Sequence, residues 1–161
     1  MLKRLLPVSH RRQKQRSDCL AACAAMVLDY IGRPCPYRRL LRLLDIKPIG
    51  APASNILRLT RLGVSVTHKA GSLEELELWI AQGQPCVVFL NTGELPYWSE
   101  ATFHAVVVVG MDDEHVYVND PAFEQAPQSI TWGDFDLAWS EQEYYYAVVS
   151  ADPTDAMAFA P

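Results

Sequence analysis

The hydrophobic pattern changes character half-way along the chain. From Cys19 to Leu28 it runs Cys-Leu-Ala-Ala-Cys-Ala-Ala-Met-Val-Leu, an almost unbroken apolar stretch made largely of strong helix formers. Ser17 and Asp18 stand ahead of it as N-cap residues, and Gly32 followed by Pro34 ends it. A buried helix beginning at Cys19 is predicted. Pro36 to Leu44 predicts a second, short helix, with Leu40, Leu41, Leu43 and Leu44 inward and Arg38, Arg39 and Arg42 in water. Ser54 to Leu62 predicts a third, ending at Gly63, and Val64 to Thr67 alternates like a short strand. Ser72 and Glu75 form a capping box for a helix running through Leu73, Leu76, Trp79 and Ile80 to Gly83.

Beyond Gly83 the period shortens. Cys86 to Leu90 and Phe103 to Val109 are continuous apolar runs, the kind found in strands buried on both faces. Gly110, Asp112 and Asp113 turn the second run into His115 to Val118, which predicts an antiparallel hairpin. Ile130 to Trp132 predicts a short strand, Trp132 to Trp139 a helix and Tyr144 to Val149 a last strand. Helices first and an antiparallel sheet afterwards predict an α+β domain spanning residues 1–150, with a loose tail at 151–161.

Charge adds one feature. The 161-residue chain carries a net −5, yet residues 1–16 hold six Lys and Arg and no acid. The rest has eight bases against nineteen acids. Residues 1–12 are therefore expected as a basic N-terminal arm, solvated and lying over an acidic body. No aromatic residue in the arm could stack on bases, so no nucleic-acid partner is expected. No apolar run approaches the length of a membrane span, and the start lacks a signal-peptide core. Four scattered cysteines (19, 23, 35 and 86) predict free thiols and a cytoplasmic location. Cys19 and Cys23 lie four apart on one helix, but no further cysteine or histidine motif completes a metal site, so no metal or other cofactor is expected.

Cys19 carries the candidate chemistry. A cysteine in the first turn of a helix meets the positive end of the dipole, which favours the thiolate. A thiolate nucleophile needs a base, and the base needs a partner that orients it. His10, His68 and His115 sit in contexts that predict exposure. His104 stands at the mouth of the valine-rich strand, where a ring is held rigidly. If the hairpin folds at Asp112–Asp113, Asp120 returns beside His104 and accepts its N–H. Gln13 and Gln15, just ahead of Cys19, each carry an amide able to donate to an oxyanion, and spacing does not choose between them.

Gln13, Asp18-Cys19, Ala22-Cys23, Met26, Tyr30 and Gly32, together with His104 and Val116-Tyr117-Val118-Asn119-Asp120-Pro121-Ala122, resemble the two boxes of the bacteriocin-processing cysteine peptidases, cysteine peptidase family thirty-nine. These are papain-like domains, usually fused to ABC transporters, that cut leader peptides after a double glycine. The resemblance runs from about Gln13 to Val149. It implies Cys19 as nucleophile, His104 as base, Asp120 as its orienting partner and Gln13, rather than Gln15, as oxyanion donor. It further implies a peptide precursor or small-protein tail as substrate and, in a stand-alone chain, a separate transporter or precursor protein as partner. The family's glycine after the nucleophile is replaced by Leu20, whose larger side chain is expected either to crowd the acyl pocket or to shift the substrate backbone. Two other functions fit the same residues: acyl transfer or amide hydrolysis by the same triad, and a peptidase-like module that binds peptides without cutting them.

Overall fold

The computed structural model describes residues 4–151. In chain order it has β1 (Arg4–Leu5), α1 (Cys19–Tyr30), α2 (Tyr37–Leu43), a 3-10 helix (Ala53–Leu62), β2 (Ser65–Ala70), α3 (Leu73–Ala81) and β3 (Cys86–Asn91). After a short 3-10 turn (Thr92–Glu94) come β4 (Phe103–Met111), β5 (His115–Asn119), β6 (Gln128–Thr131), α4 (Trp132–Ser140) and β7 (Tyr145–Ser150). The sheet is antiparallel throughout, in the order β2-β7-β3-β4-β5-β6, with β1 added beside the far end of β4. The fold is α+β, with N-terminal helices packed on an antiparallel sheet.

Two apolar layers explain the sequence pattern. Val87, Phe89, Ala105, Val107 and Val109 face α1, α2 and the first 3-10 helix. Val88, Leu90, Val106 and Val108 face α3 and α4, against Trp79, Phe135 and Trp139. Strands covered on both faces lose the alternation of a half-exposed strand and read as continuous apolar runs. Helix α1 is buried from Cys19 to Leu28. Its small residues let it press close to β4, and a helix apolar all round belongs in a core.

The N-terminal segment departs from the expected solvated arm. Arg4 and Leu5 pair with Met111 and Gly110, Leu6 is buried, and Arg11 forms an ion pair with Asp29 at 2.7 Å. Gly110 makes this possible, because a Cβ there would lie 2.2 Å from the Arg4 carbonyl oxygen. A bulge sits at the same place: Val108 pairs with Val118, but Gly110 pairs with Tyr117. Of the expected tail, residues 152–161 lie outside the described residues.

Candidate active site

Cys19 is the first residue of α1, and it is nearly buried. Asp18 occupies the N-cap position but makes no side-chain cap bond. Its buried carboxylate accepts instead from the Tyr37 hydroxyl at 3.1 Å, which corrects the expected capping role. The first amides of a helix have no intrahelical partner, so the Cys19 N–H stays available to a ligand at that end.

His104 is the second residue of β4 and 3% exposed; Asp120 directly follows β5 and is 0% exposed. His104 Nε2 and Asp120 Oδ1 are 2.7 Å apart. That bond leaves Nδ1 for the Cys19 thiol, which lies within hydrogen-bond reach of the ring. Burial by itself would push the imidazole down. The bonds to Asp120 and then Cys19 overcome it and lift His104 to about 9. Asp120 is also desolvated, which favours its neutral acid, but His104 and then Trp98 and the Ala122 N–H hold it below the usual carboxylate range. Cys23, one turn along α1, is fully buried; burial and then the nearby Cys19 and Asp120 charges push its thiol well up. Cys19 lies beside the His104 ring, whereas Cys23 is kept a neutral core residue.

Sequence reasoning left Tyr97 and Trp98 out of the site. The Tyr97 hydroxyl donates to Asp120 Oδ2 at 2.8 Å and the Trp98 indole N–H to the same oxygen at 2.9 Å. The Trp98 ring also meets the His104 ring edge-on, with centroids 4.9 Å apart. Two aromatic donors in a loop shortly before His104 were the available signal. The Leu20 side chain is buried in the core cluster between α1 and the sheet.

Gln13 shares the cleft with His104. Its Nε2 donates to the carbonyls of Gln15 and Arg16, both at 3.0 Å, and its Oε1 is buried without a partner. The cleft has a volume of about 450 Å³, with Arg16, Trp98, Phe103 and Phe123 also on its walls. A larger hollow of about 540 Å³ beside Leu78 and Met111 contains none of these residues and offers no nucleophile.

The other histidines have separate partners. His10 is half-buried and its Nε2 donates to the Phe123 carbonyl at 2.7 Å, rather than being exposed in a free arm. His68, also expected to be exposed, is half-buried between Phe89 and Tyr145, and burial lowers its pKa. His115 lies 3.9 Å from Asp112. Among the described residues no group of three or more His, Cys, Asp or Glu is placed to hold a metal ion. No helix among them is long and apolar enough to cross a membrane.

The profile of the peptidase C39 family matches residues 8–152, nearly the whole chain. The chain belongs to the peptidase C39 family. It is a cysteine peptidase. Solved structures share this C39 peptidase's fold at low identity. A putative C39-like peptidase from Bacillus anthracis is 19% identical with a TM-score of 0.78, over 92% of this chain and 98% of that one. A double glycine motif protease from an AMS/PCAT transporter, in complex with the leader peptide, is 22% identical with a TM-score of 0.71, over 91% and 93%. The peptidase domain of Streptococcus ComA, a bifunctional ABC transporter involved in a quorum-sensing pathway, is 16% identical with a TM-score of 0.75, over 90% and 99%. A comparison with curated proteins finds no match.

Proposed function

We propose that this C39 peptidase hydrolyses a peptide bond in a peptide precursor or small protein tail, after a Gly-Gly pair, through Cys19, His104 and Asp120. The observation that carries it is the 2.7 Å bond between buried His104 and Asp120, with the ring's other nitrogen left for the cysteine at the start of α1. The Cys19 thiolate attacks the scissile carbonyl carbon while His104 holds the proton. His104 then gives that proton to the leaving amine as the C–N bond breaks. Water, deprotonated by His104, attacks the thioester and releases the acid and free Cys19. Asp120 keeps the ring oriented and supports the imidazolium.

The tetrahedral oxyanion is stabilised by the Cys19 N–H and by Gln13. Gln13's place on the cleft wall supports this role. Its Nε2 must turn one N–H from the Gln15 or Arg16 carbonyl toward the oxyanion to perform it. Gly-Gly specificity and a partner transporter are supported by the leader-bound relative and by family membership. Four free thiols among the described residues favour action in the cytoplasm. The burial of Leu20 in the core favours the catalytic reading over a module that binds peptides without cutting them.

Two measurements test the proposal. Iodoacetamide alkylation of Cys19 is followed against pH in the wild type and in His104→Ala. Rapid reaction below pH 8 that disappears with His104 is expected, and identical profiles would refute the triad. Peptides carrying an internal Gly-Gly are then expected to be cut after the second glycine by the wild type and left intact by Cys19→Ala. Cleavage elsewhere, with Gly-Gly peptides untouched, would refute the specificity.

A further inference from the structure

Asp120 is a fully buried carboxylate whose acceptor capacity is divided evenly. Oδ1 accepts from His104 Nε2 at 2.7 Å and from the Ala122 N–H at 3.0 Å. Oδ2 accepts from the Tyr97 hydroxyl and the Trp98 N–H. We propose that Tyr97 and Trp98 are positioning residues for the peptidase reaction, fixing Oδ2 so that Oδ1 remains aimed at His104. This rests on the Cys19–His104–Asp120 triad proposed above.

The loop that carries both donors is built to hold them still. Buried Thr92 closes its base, with its N–H donating to the Thr102 carbonyl at 2.9 Å and its Oγ1 donating to the Glu100 carbonyl at 2.7 Å. The Thr102 N–H donates back to Thr92 Oγ1 at 2.9 Å. Leu95 is buried and anchors the middle of the loop, and the Trp98 N–H of the main chain returns to its carbonyl at 3.1 Å. Phe123 packs edge-on against both rings, with centroids 5.1 Å from Tyr97 and 5.2 Å from Trp98. Packing alone explains the rings, but not why two polar atoms from adjacent residues converge on one oxygen. Without them a buried anionic oxygen would have no donor, and the carboxyl would be free to turn about its Cβ–Cγ bond.

The test uses iodoacetamide on Cys19, with the rate followed from pH 3 to 10 in the wild type, Tyr97→Phe, Trp98→Phe, the double variant and His104→Ala. At Tyr97 phenylalanine keeps the ring and removes only the hydroxyl; at Trp98 it removes the N–H together with the five-membered half of the indole, so that variant is read from the shape of its pH profile rather than from its overall rate. The expected result is that the acid limb of the profile moves up by about one pH unit in the double variant and by less in each single one, because Asp120 is protonated sooner when its anion loses donors. On that limb the double variant then reacts about tenfold more slowly, with wild-type rates recovered near neutral pH. If the Phe variants overlay the wild type, or lose the same factor at every pH with a lowered melting temperature, the positioning role is wrong. If the double variant does not fold, the two singles decide by the same criterion. An unresponsive His104→Ala removes the triad, and this inference with it. A responsive His104 with unmoved Phe variants removes this inference alone.

Discussion

Replacing Asp120 by asparagine is close to isosteric, yet the site's hydrogen-bond polarity predicts a large cost. All four neighbours of the carboxylate act as donors, two to each oxygen. A carboxamide offers one oxygen and one NH2. With its oxygen toward His104 and Ala122, the NH2 meets Tyr97 and Trp98. The Tyr97 hydroxyl can rotate and accept, but an indole N–H only donates and is stranded. With the amide reversed, His104 can change tautomer, but the Ala122 main-chain N–H is stranded instead. One buried donor without a partner costs about 1–3 kcal/mol, and the surviving bonds fall from charge-assisted to neutral strength. Removing a desolvated charge recovers part of this. The expected net destabilisation of Asp120→Asn is about 2–4 kcal/mol at pH 7, read by urea denaturation. The folded Asp120 pKa is lowered, so the carboxylate's contribution is present above the unfolded value and lost as pH falls through the folded one. The gap between wild type and variant should therefore narrow below about pH 4. Cys19 alkylation at pH 7 should fall at least tenfold, because no anion supports the imidazolium. A variant within 1 kcal/mol of wild type with normal alkylation would refute the polarity argument.

Other consequences are as direct. The His104 pKa is raised from 6.5 to about 9, so its contribution to stability is complete below pH 6.5 and lost as pH rises through 9. For this buried pair the loss is about 3 kcal/mol, measured by urea denaturation between pH 6.5 and 9.5, and it should vanish in His104→Ala. Leu20→Gly restores the family's glycine but empties a core position inside a helix. It should cost about 3–5 kcal/mol with no gain in peptide cleavage, whereas faster cleavage would show that Leu20 crowds the cleft after all. Gly110→Val should displace β1 and destabilise by at least 1–3 kcal/mol, since even its Cβ collides with the Arg4 carbonyl; an unchanged melting temperature would contradict that contact.

Much of the molecule was legible because its signals are local. The helix formers behind Cys19, the Ser72 cap on the Glu75 amide, the left-handed Gly63 and the apolar runs of β3 and β4 each depend on a few neighbouring residues. Where a side chain had two possible partners, the sequence could not choose. Asp18 was free to cap α1 locally, but Tyr37 from α2 took its carboxylate. Glu75 was expected to close the capping box, yet it accepts from the Tyr146 hydroxyl of β7 at 2.6 Å. The Gln13 amide, expected to face an oxyanion, donates in this structure to the Gln15 and Arg16 carbonyls.

The chain by itself determined that Cys19 would start a helix and that His104 and Asp120 would lie on the two arms of one hairpin. Tertiary structure decided whether those arms met on the same face. Val108 opposes Val118, and directly opposed residues in an antiparallel pair share a face. Counting two residues outward from Val118 therefore puts Asp120 on the side of His104, which is in phase with Val108. On the far side of the bulge Gly110 opposes Tyr117, a register shifted by one residue. Had that register continued without a bulge, Asp120 would have pointed to the opposite face, because side chains alternate along a strand. The bulge sits where Gly110 admits the N-terminal strand from more than a hundred residues away in the chain. No local pattern around Asp112–Asp113 reports such a contact, so the hairpin was readable while its register, on which the His104–Asp120 bond depends, was not.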